Sequence, residues 1–155
     1  MTVALSGTEI AEKLELQFPE SIIESDSSSF VVKTETLLDI ISLLKSSPEF
    51  ECNYLSDITS VDYFDYFDVV YHLTSTVHNH SLVIKTRCYG RENLSVPSVT
   101  SLYRGANSQE REIYDLMGIN FEGHPNMKRL FLWEGFEGHP LRKDFLEAPK
   151  VKNNK

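Results

Sequence analysis

The strongest signal of regular structure in this 155-residue chain is the sequence VVYHLTSTVHNHSLVIKTRCY at residues 69–89. Apolar and polar residues alternate along two runs, which is typical of β-strands with one buried face. His-Asn-His at 78–80 separates the runs, so we predict an antiparallel hairpin. One face of the first strand carries Val69, Tyr71, Leu73 and Val77, and one face of the second carries Leu82, Ile84, Thr86 and Cys88.

Two amphipathic helices are predicted before the hairpin. The first begins at a capping box, residues 6–9, and ends before Pro19. The second begins at Thr34 or Thr36, either of which can cap it, and runs through Lys45. Each helix has an apolar stripe that is expected to pack on a sheet. The stripes consist of Ile10, Ala11, Leu14 and Phe18 in the first helix and Leu37, Leu38, Ile40, Ile41, Leu43 and Leu44 in the second.

Three further strands are expected before the hairpin, at 21–29, 30–32 and 52–62. The first ends in a serine-rich turn, and the last is followed by an aromatic and acidic loop at 63–68. Paired with the hairpin, these strands predict a mostly antiparallel or mixed sheet.

Two helices are predicted after the hairpin. A short one is expected over 96–105, and the last one over 107–117. Asn107 and Glu110 have the spacing of a capping box, and Gly118 lies where a left-handed C-cap is needed. The order of elements therefore predicts a two-layer α+β domain with helices on one face of the sheet.

The expected domain covers residues 1–118, and residues 119–155 are expected to form an irregular, extended docking tail. Two Gly-His-Pro corners, at 123–125 and 138–140, shape this tail. Proline favours extended geometry in the residue before it, and glycine permits a sharp turn. A segment held in shape without a core of its own is expected to lie along another protein.

Charge is segregated along the chain. Residues 1–77 contain 14 acidic and 3 basic residues, whereas residues 78–155 contain 9 acidic and 12 basic residues. The acidic half excludes broad binding to nucleic acid, which is itself a polyanion. The later bases suggest that the C-terminal part meets an acidic partner surface; they include Arg104, Arg111, Lys128, Arg129, Arg142 and Lys143.

Membrane and export signals are not found in the sequence. No run approaches the roughly 18 apolar residues that span a bilayer, and residues 1–7 lack the basic start and long apolar stretch of a signal peptide. We therefore expect a cytoplasmic protein that reaches a membrane only through a partner.

Motifs for cofactors and catalysis are weak. Cys52 and Cys88 are too few for an iron–sulfur cluster, which normally takes four ligands, and are expected to be buried thiols. His124 and His139 lack a third metal ligand at suitable spacing. Phosphate loops and nucleophile elbows are absent from the sequence. The acids Asp57, Asp62, Asp65 and Asp68 miss the pattern of a calcium loop and predict a solvated acidic loop.

Two blocks near the C-terminus resemble the signature of a known family. The first is EREIYDLMGINFEGHP at 110–125, and the second is EGHPLRKDF at 137–145. The strand YLSDITSVD at 54–62 resembles the central strand of the same family. On these residues the chain is similar to the 30-kilodalton subunit of respiratory complex I, the NADH:quinone oxidoreductase.

The resemblance implies a non-catalytic subunit of the peripheral arm of a proton-translocating complex, on the cytoplasmic side of the bacterial membrane. It implies docking to the subunit that helps form the quinone site, and to neighbouring iron–sulfur subunits. It implies no cofactor on this chain, with NADH, FMN, iron–sulfur clusters and quinone on other subunits. It assigns docking roles to the matching residues: Glu110, Arg111, Asp115, Gly123, His124, Pro125, Gly138, His139, Pro140, Arg142, Lys143 and Asp144.

Three alternatives stay open. Related subunits occur in membrane-bound hydrogenases, in deazaflavin-dependent dehydrogenases and in the photosynthetic NAD(P)H-dehydrogenase-like complex, so the electron donor is not fixed by the resemblance. The chain could instead be a free-standing adaptor, or an independent metal enzyme that uses its histidines.

Overall fold

The structure, a computed structural model, describes residues 1–146 and has three helices and eight strands in that range. The helices are α1 (Gly7–Gln17), α2 (Thr34–Ser46) and α3 (Ala106–Met117). The strands are β1 (Val3–Ala4), β2 (Ile22–Ser25), β3 (Phe30–Val32), β4 (Tyr54–Asp62), β5 (Tyr66–Ser75), β6 (His80–Tyr89), β7 (Ser95–Pro97) and β8 (Asn120–Glu122).

The predicted hairpin forms the centre of a six-stranded mixed sheet. β5 and β6 pair antiparallel along their full lengths, with Tyr71 opposite Ile84, and residues 76–79 form the turn. The strand order is β2-β3-β6-β5-β4, and β1 also pairs with β6. β1 and β3 run parallel to β6, whereas the other pairs in this sheet are antiparallel. The prediction of a hairpin within a mixed sheet is confirmed.

The apolar stripes of α1 and α2 form the core with the sheet. Leu14 from α1 and Leu44 from α2 are buried in one cluster with Tyr71 and Ile84. Burying one such side chain completely stabilises the folded state by about 1.5–3 kcal/mol. The third helix, α3, packs against the edge strand β4. The predicted α+β class is confirmed.

Strand β4 departs from simple alternation because a β-bulge lies between Leu55 and Asp57. Leu55 pairs with Leu73 and Ile58 pairs with Tyr71, so the buried residues of β4 are three positions apart where a regular strand has two. In a regular strand, Leu55 and Ile58 would lie on opposite faces, and the bulge allows both to be buried on the same face. The alternation in 52–62 is therefore a weak sequence signal, although the strand itself is confirmed.

The predicted helix caps differ from those in the structure. Ser6 occupies the N-cap position of α1, but its side chain makes no capping hydrogen bond. Lys33 is the N-cap of α2, and the Thr36 hydroxyl donates to the Lys33 carbonyl at 3.2 Å. The N-cap of α3 is Gly105 instead of Asn107. Sequence periodicity located the helices to within a few residues, whereas the capping partners depend on local geometry.

The prediction of a short helix over 96–105 is wrong. Residues 95–97 form β7, which pairs in parallel with β8, and turns follow up to α3. Val96 pairs with Phe121, and both are buried in the core. The partner strand lies beyond α3, so a local pattern around Pro97 could not reveal this pairing.

The expectation of irregular backbone directly after Gly118 is wrong for residues 119–122. Asn120–Glu122 is a strand, and Ile119 and Phe121 are buried in the core. The fold therefore continues to residue 122. We call residues 1–122 the body and residues 123–146 the tail, and the division of the chain at 118 stays a prediction that truncation can test.

Candidate partner-docking site

Glu110 is the first of the predicted docking residues, and it is fully buried at the start of α3. Its Oε1 accepts the Val99 N–H at 2.7 Å, and its Oε2 accepts the Ser98 hydroxyl at 2.7 Å. Burial raises the pKa of this carboxyl, and the two hydrogen bonds oppose that shift only in part. The predicted capping box with Asn107 is wrong, because Glu110 holds the segment after β7 against α3.

The first Gly-His-Pro corner is fastened to the first turn of α3 through His124, whose side chain is buried. Its Nδ1 accepts the Asn126 N–H at 3.0 Å, which leaves the proton on Nε2. Nε2 donates to the Asn107 carbonyl at 3.0 Å and lies 4.0 Å from Glu110 Oε2. The imidazole thus joins the tail to α3.

Asp115 organises the middle of the tail. Its buried Oδ2 accepts three consecutive backbone N–H groups, from Leu130, Phe131 and Leu132, at 3.1, 2.7 and 3.0 Å. Its Oδ1 accepts Arg129 Nη1 at 3.1 Å. Burial alone would raise the pKa of Asp115, but these donors outweigh it and hold the pKa below its usual range.

Arg111 and Asp115 lie one turn apart in α3 but do not pair with each other. Arg111 Nε and Nη2 donate to the carbonyls of Lys128 and Arg129, each at 3.0 Å. Asp115 pairs with Arg129 of the tail instead. Spacing of one helical turn makes a pair within α3 feasible, but the folded-back tail supplies partners for both side chains.

The second Gly-His-Pro corner closes the C-terminus of α3. His139 Nδ1 donates to the Asp115 carbonyl at 3.0 Å, and Arg142 donates to the carbonyls of Met117 and Gly118 at 2.6 and 3.3 Å. These carbonyls have no partner inside the helix. Gly118 has a φ of 72°, which confirms the predicted left-handed C-cap, and an added Cβ would lie 2.5 Å from His139 Cδ2.

The charged run at 142–144 is tied to Asp62, at the end of β4, and to Arg91, which follows β6. Asp62 accepts Arg91 Nη1 and Nη2 at 2.6 and 2.9 Å, and also accepts the Lys143 N–H at 3.0 Å. Arg91 Nη2 pairs with Asp144 at 2.7 Å. Hydrogen bonding to Arg91 holds the pKa of Asp62 well below its usual range.

The prediction of a solvated acidic loop is therefore wrong for two of its four acids. Asp62 is buried as described, and Asp68 is buried in β5, where Arg87 donates to it at 2.8 and 3.0 Å. Strand β5 begins at Tyr66, so the loop covers only 63–65. Asp57 and Asp65 are exposed.

The predicted docking residues fall into three groups. Glu110, Asp115 and the side chains of His124 and Arg142 are committed to contacts within the chain. Gly123, Pro125, Gly138, Lys143 and Asp144 are exposed, and Arg111, His139 and Pro140 are half-buried. The docking assignment stays a prediction for all of them.

Sequence reasoning missed the exposed apolar side chains of the tail. Phe131 is 63% exposed, Trp133 69%, Leu141 61% and Leu146 86%. Of these, Trp133 contacts a second aromatic ring, Phe136, so part of this apolar surface is continuous. The signal was present in RLFLWEGFEG at 129–138, where aromatic residues are dense without helical or strand periodicity.

The two cysteines and a metal site are the remaining candidates for chemistry on this chain. Cys52 and Cys88 are buried free thiols, as expected, and burial raises their pKa values to about 12 and about 11. Within residues 1–146, no three His, Cys, Asp or Glu side chains are grouped so that they could bind a metal ion. Across the same residues, no helix combines the length and apolarity needed to cross a membrane.

Known proteins resemble this chain over most of its length. It is 38% identical over 149 residues to the NADH-quinone oxidoreductase C-subunit of Roseiflexus sp. (strain RS-1), covering 92% of this chain and 85% of that protein. It is 42% identical over 142 residues to the mitochondrial NADH dehydrogenase [ubiquinone] iron-sulfur protein 3 of Candida albicans, covering 90% of this chain. The chain spans about half the length of that mitochondrial relative.

A solved structure shares the fold. A chain of the membrane-bound sulfane sulfur reductase, an archaeal respiratory membrane complex, superposes with a TM-score of 0.71 and 26% identity. The match covers 91% of this chain and 86% of that one.

The family described as "Respiratory-chain NADH dehydrogenase, 30 Kd subunit" matches residues 30–151. This range includes the hairpin, α3 and both Gly-His-Pro corners. The resemblance inferred from the two C-terminal blocks is thereby confirmed, and the chain belongs to the family of the 30 Kd subunit of respiratory-chain NADH dehydrogenase.

Proposed function

We propose that this chain is a non-catalytic subunit in the peripheral arm of a proton-translocating NADH:quinone oxidoreductase (complex I). It docks on the quinone-site subunit and on neighbouring iron–sulfur subunits, and so supports electron transfer to quinone. The observation that carries the proposal is the tail. Buried polar contacts hold it on α3 while Phe131, Trp133 and Leu141 stay exposed.

The contacts of the two corners support a scaffolding role. The carboxylates of Glu110 and Asp115 and the rings of His124 and His139 each bond to backbone groups of this chain. Side chains fixed in this way position a segment, whereas a catalytic side chain needs a free face toward substrate. We therefore place NADH, FMN, the iron–sulfur clusters and quinone on other subunits.

The location follows from the same proposal. The chain reaches the membrane through its complex, and in a bacterium it faces the cytoplasm. Membership of the 30 Kd family supports the association with a respiratory complex.

A second candidate is the equivalent subunit of a related respiratory complex with another electron donor. The likeness to a chain of the archaeal sulfane sulfur reductase favours it, because that complex has a different name and substrate but the same fold in this subunit. The two candidates share the docking role and differ only in the module that delivers electrons.

The test is a pull-down from native membranes in mild detergent through a tagged full-length copy, with mass spectrometry of all retained proteins. We expect a quinone-site subunit and iron–sulfur subunits to co-elute, and the input module among them identifies the electron donor. Recovery of the chain alone from the membrane-free fraction would overturn the proposal in favour of a free-standing adaptor. One metal ion per chain, lost on replacing His124 or His139, would favour a metal enzyme.

A further inference from the structure

The tail folds into an open cleft that has three aromatic rings in its lining. Trp133 and Phe136 meet edge to face, with ring centroids 4.9 Å apart and planes at 88°, and Phe136 stacks on Phe145 at 6.2 Å and 20°. The lining is completed by Leu132, Gly135, Glu137 and Pro140. The cleft has a volume of about 610 Å³, which is in the range that accommodates sizeable apolar groups.

Hydrogen bonds to Asp115 and from Arg129 hold the segments that form the cleft in place. Asp115 fixes residues 130–132, and Arg129 donates to the Gly138 carbonyl at 3.2 Å while lying over the Phe136 ring at 5.7 Å. Gly138 has a φ of 90°, and an added Cβ would lie 3.0 Å from the Phe145 ring. A cleft that is already ordered loses little conformational entropy when a partner binds.

The rim of the cleft carries negative charge. Glu134 and Glu137 are exposed and form no ion pair with any cation among residues 1–146. Arg129, the cation beside the cleft, is already paired with Asp115. The charge of the two glutamates is therefore available to a partner.

The expectation that the basic C-terminal part meets an acidic surface does not extend to the cleft, where the exposed charges are acidic. Arg111 and Arg142 point to carbonyls of this chain, and Arg129 and Arg91 are paired with internal carboxylates. These four arginines are engaged within the chain, and Arg104, Lys128 and Lys143 are exposed but do not line the cleft, so the exposed charges at the cleft are those of the glutamates.

We propose that this cleft receives a segment of a neighbouring subunit that has an apolar side chain and, beside it, a lysine or arginine. The apolar group packs against Trp133 and Phe136, and the cation pairs with Glu134 and Glu137. Aromatic side chains at the centre of an interface contribute most of its binding energy, and charges at the rim add specificity and association rate. This inference rests on the proposed function, because the neighbour is a subunit of the same complex.

The test compares incorporation of tagged full-length variants into the complex in native membranes. Trp133→Ala is expected to lower the recovered complex roughly 30-fold, as for a central interface aromatic. Glu134→Lys/Glu137→Lys is expected to lower it roughly tenfold at low salt and less at high salt, as for surface charge pairs. The matched control is Glu12→Lys/Asp39→Lys, which makes the same charge change at exposed residues of α1 and α2 and is expected to assemble like the wild type.

A second measurement identifies the occupant directly. p-Benzoylphenylalanine in place of Phe145, which lines the cleft, is irradiated in the assembled complex, and the cross-linked peptide is sequenced by mass spectrometry. We expect a peptide of another subunit with apolar residues next to lysine or arginine. An acidic peptide, a second copy of this chain or a lipid adduct would overturn the inference.

The outcomes separate this inference from the proposed function. If the wild type brings down no complex, the proposed function fails. If it does, and both cleft variants assemble as well as the control, only the cleft inference fails. Melting of each variant by circular dichroism is expected to match the wild type, because Trp133 and both glutamates are exposed; a cleft variant that fails to assemble only because it melts early would also count against the inference.

Discussion

Residues 1–122 and residues 123–146 are stabilised by different interactions. In the body, α1 and α2 bury apolar side chains against the β5–β6 hairpin, and Ile119 and the β8 residue Phe121 complete this core. In the tail, no hydrophobic residue from 123 to 146 is fully buried, and Asp62 and Asp115 hold the chain through backbone N–H groups and arginines. The stabilisation of the body is shared among many buried apolar side chains, so that losing one removes only part of it. In the tail, losing one carboxylate leaves all of its buried donors without their acceptor.

The largest effect on stability should come from changing the residue at which the chain is truncated. A chain that ends at Glu122 keeps β8 and is expected to stay folded. A chain that ends at Gly118 loses Ile119 and Phe121, which removes roughly 5–10 kcal/mol of core stabilisation and should unfold it. Circular dichroism melting of the two proteins measures the difference. Equal melting of both would contradict the boundary at 122.

The body was largely predictable from the sequence, because its signals are local. In the β5–β6 hairpin, buried and half-buried residues alternate from Leu82 to Cys88 in β6 and from Tyr71 to Ser75 in β5, and α2 has a broad apolar stripe. Strand β7 was mistaken for a helix because its partner, β8, lies beyond α3. The bulge in β4 likewise depends on the register with β5.

The site was only partly predictable. The blocks around α3 and the two Gly-His-Pro corners were identified as a unit, yet the structure uses Asp115 and Arg142 to fold the tail inward. A sequence shows which residues can bond but not which of several partners they choose. The exposed Trp133 surface was overlooked because aromatic residues usually indicate a core.

The next largest effect should come from Asp115→Asn. The amide cannot accept three N–H groups and pair with Arg129 as an anion does, and breaking such a buried pair costs about 3 kcal/mol. We expect the tail to detach while the body stays folded. Trp133 is the only tryptophan in the chain, so its fluorescence anisotropy reports on the tail, and far-ultraviolet circular dichroism reports on the body.

The control for that prediction is Asp39→Asn, an exposed position on α2 that should change neither signal. Loss of helix signal together with the change at Trp133 would show that tail and body unfold as one unit. That result would contradict the contrast between the two regions.

A smaller effect is expected from Gly118→Ala. The left-handed backbone costs a side-chain-bearing residue about 1–2 kcal/mol, and the new Cβ must also displace His139 and Arg142. Gly90→Ala is the matched control, because Gly90 has a φ of 87° with no atom within 4 Å of the added Cβ. Thermal melting should show the larger loss for Gly118→Ala. Equal losses would mean that the contact with the second corner contributes nothing to stability.

The smallest effect is a dependence of stability on pH, which has opposite signs in the body and in the tail. The folded-state pKa values of Asp62 and Asp115 lie below the usual carboxyl value. Their stabilisation of the tail is therefore complete above about pH 4 and is lost as the pH falls through the folded-state pKa values. The pKa of Glu110 is raised instead, so its contribution to the body is complete below about pH 4.3 and is lost as the pH rises through the raised pKa.

Glu110→Gln isolates the part of this dependence that belongs to the body. The amide can still accept from Val99 N–H and donate to the Ser98 hydroxyl, but it no longer titrates. We expect the fall in melting temperature of the wild-type body between pH 4 and pH 7 to be smaller in the variant. The anisotropy of Trp133 should still change in acid, because Asp62 and Asp115 are intact. If the melting temperature of the variant fell with pH as much as that of the wild type, the buried Glu110 carboxyl would not be the source of this pH dependence. The opposite pH responses of body and tail would then require another titrating group.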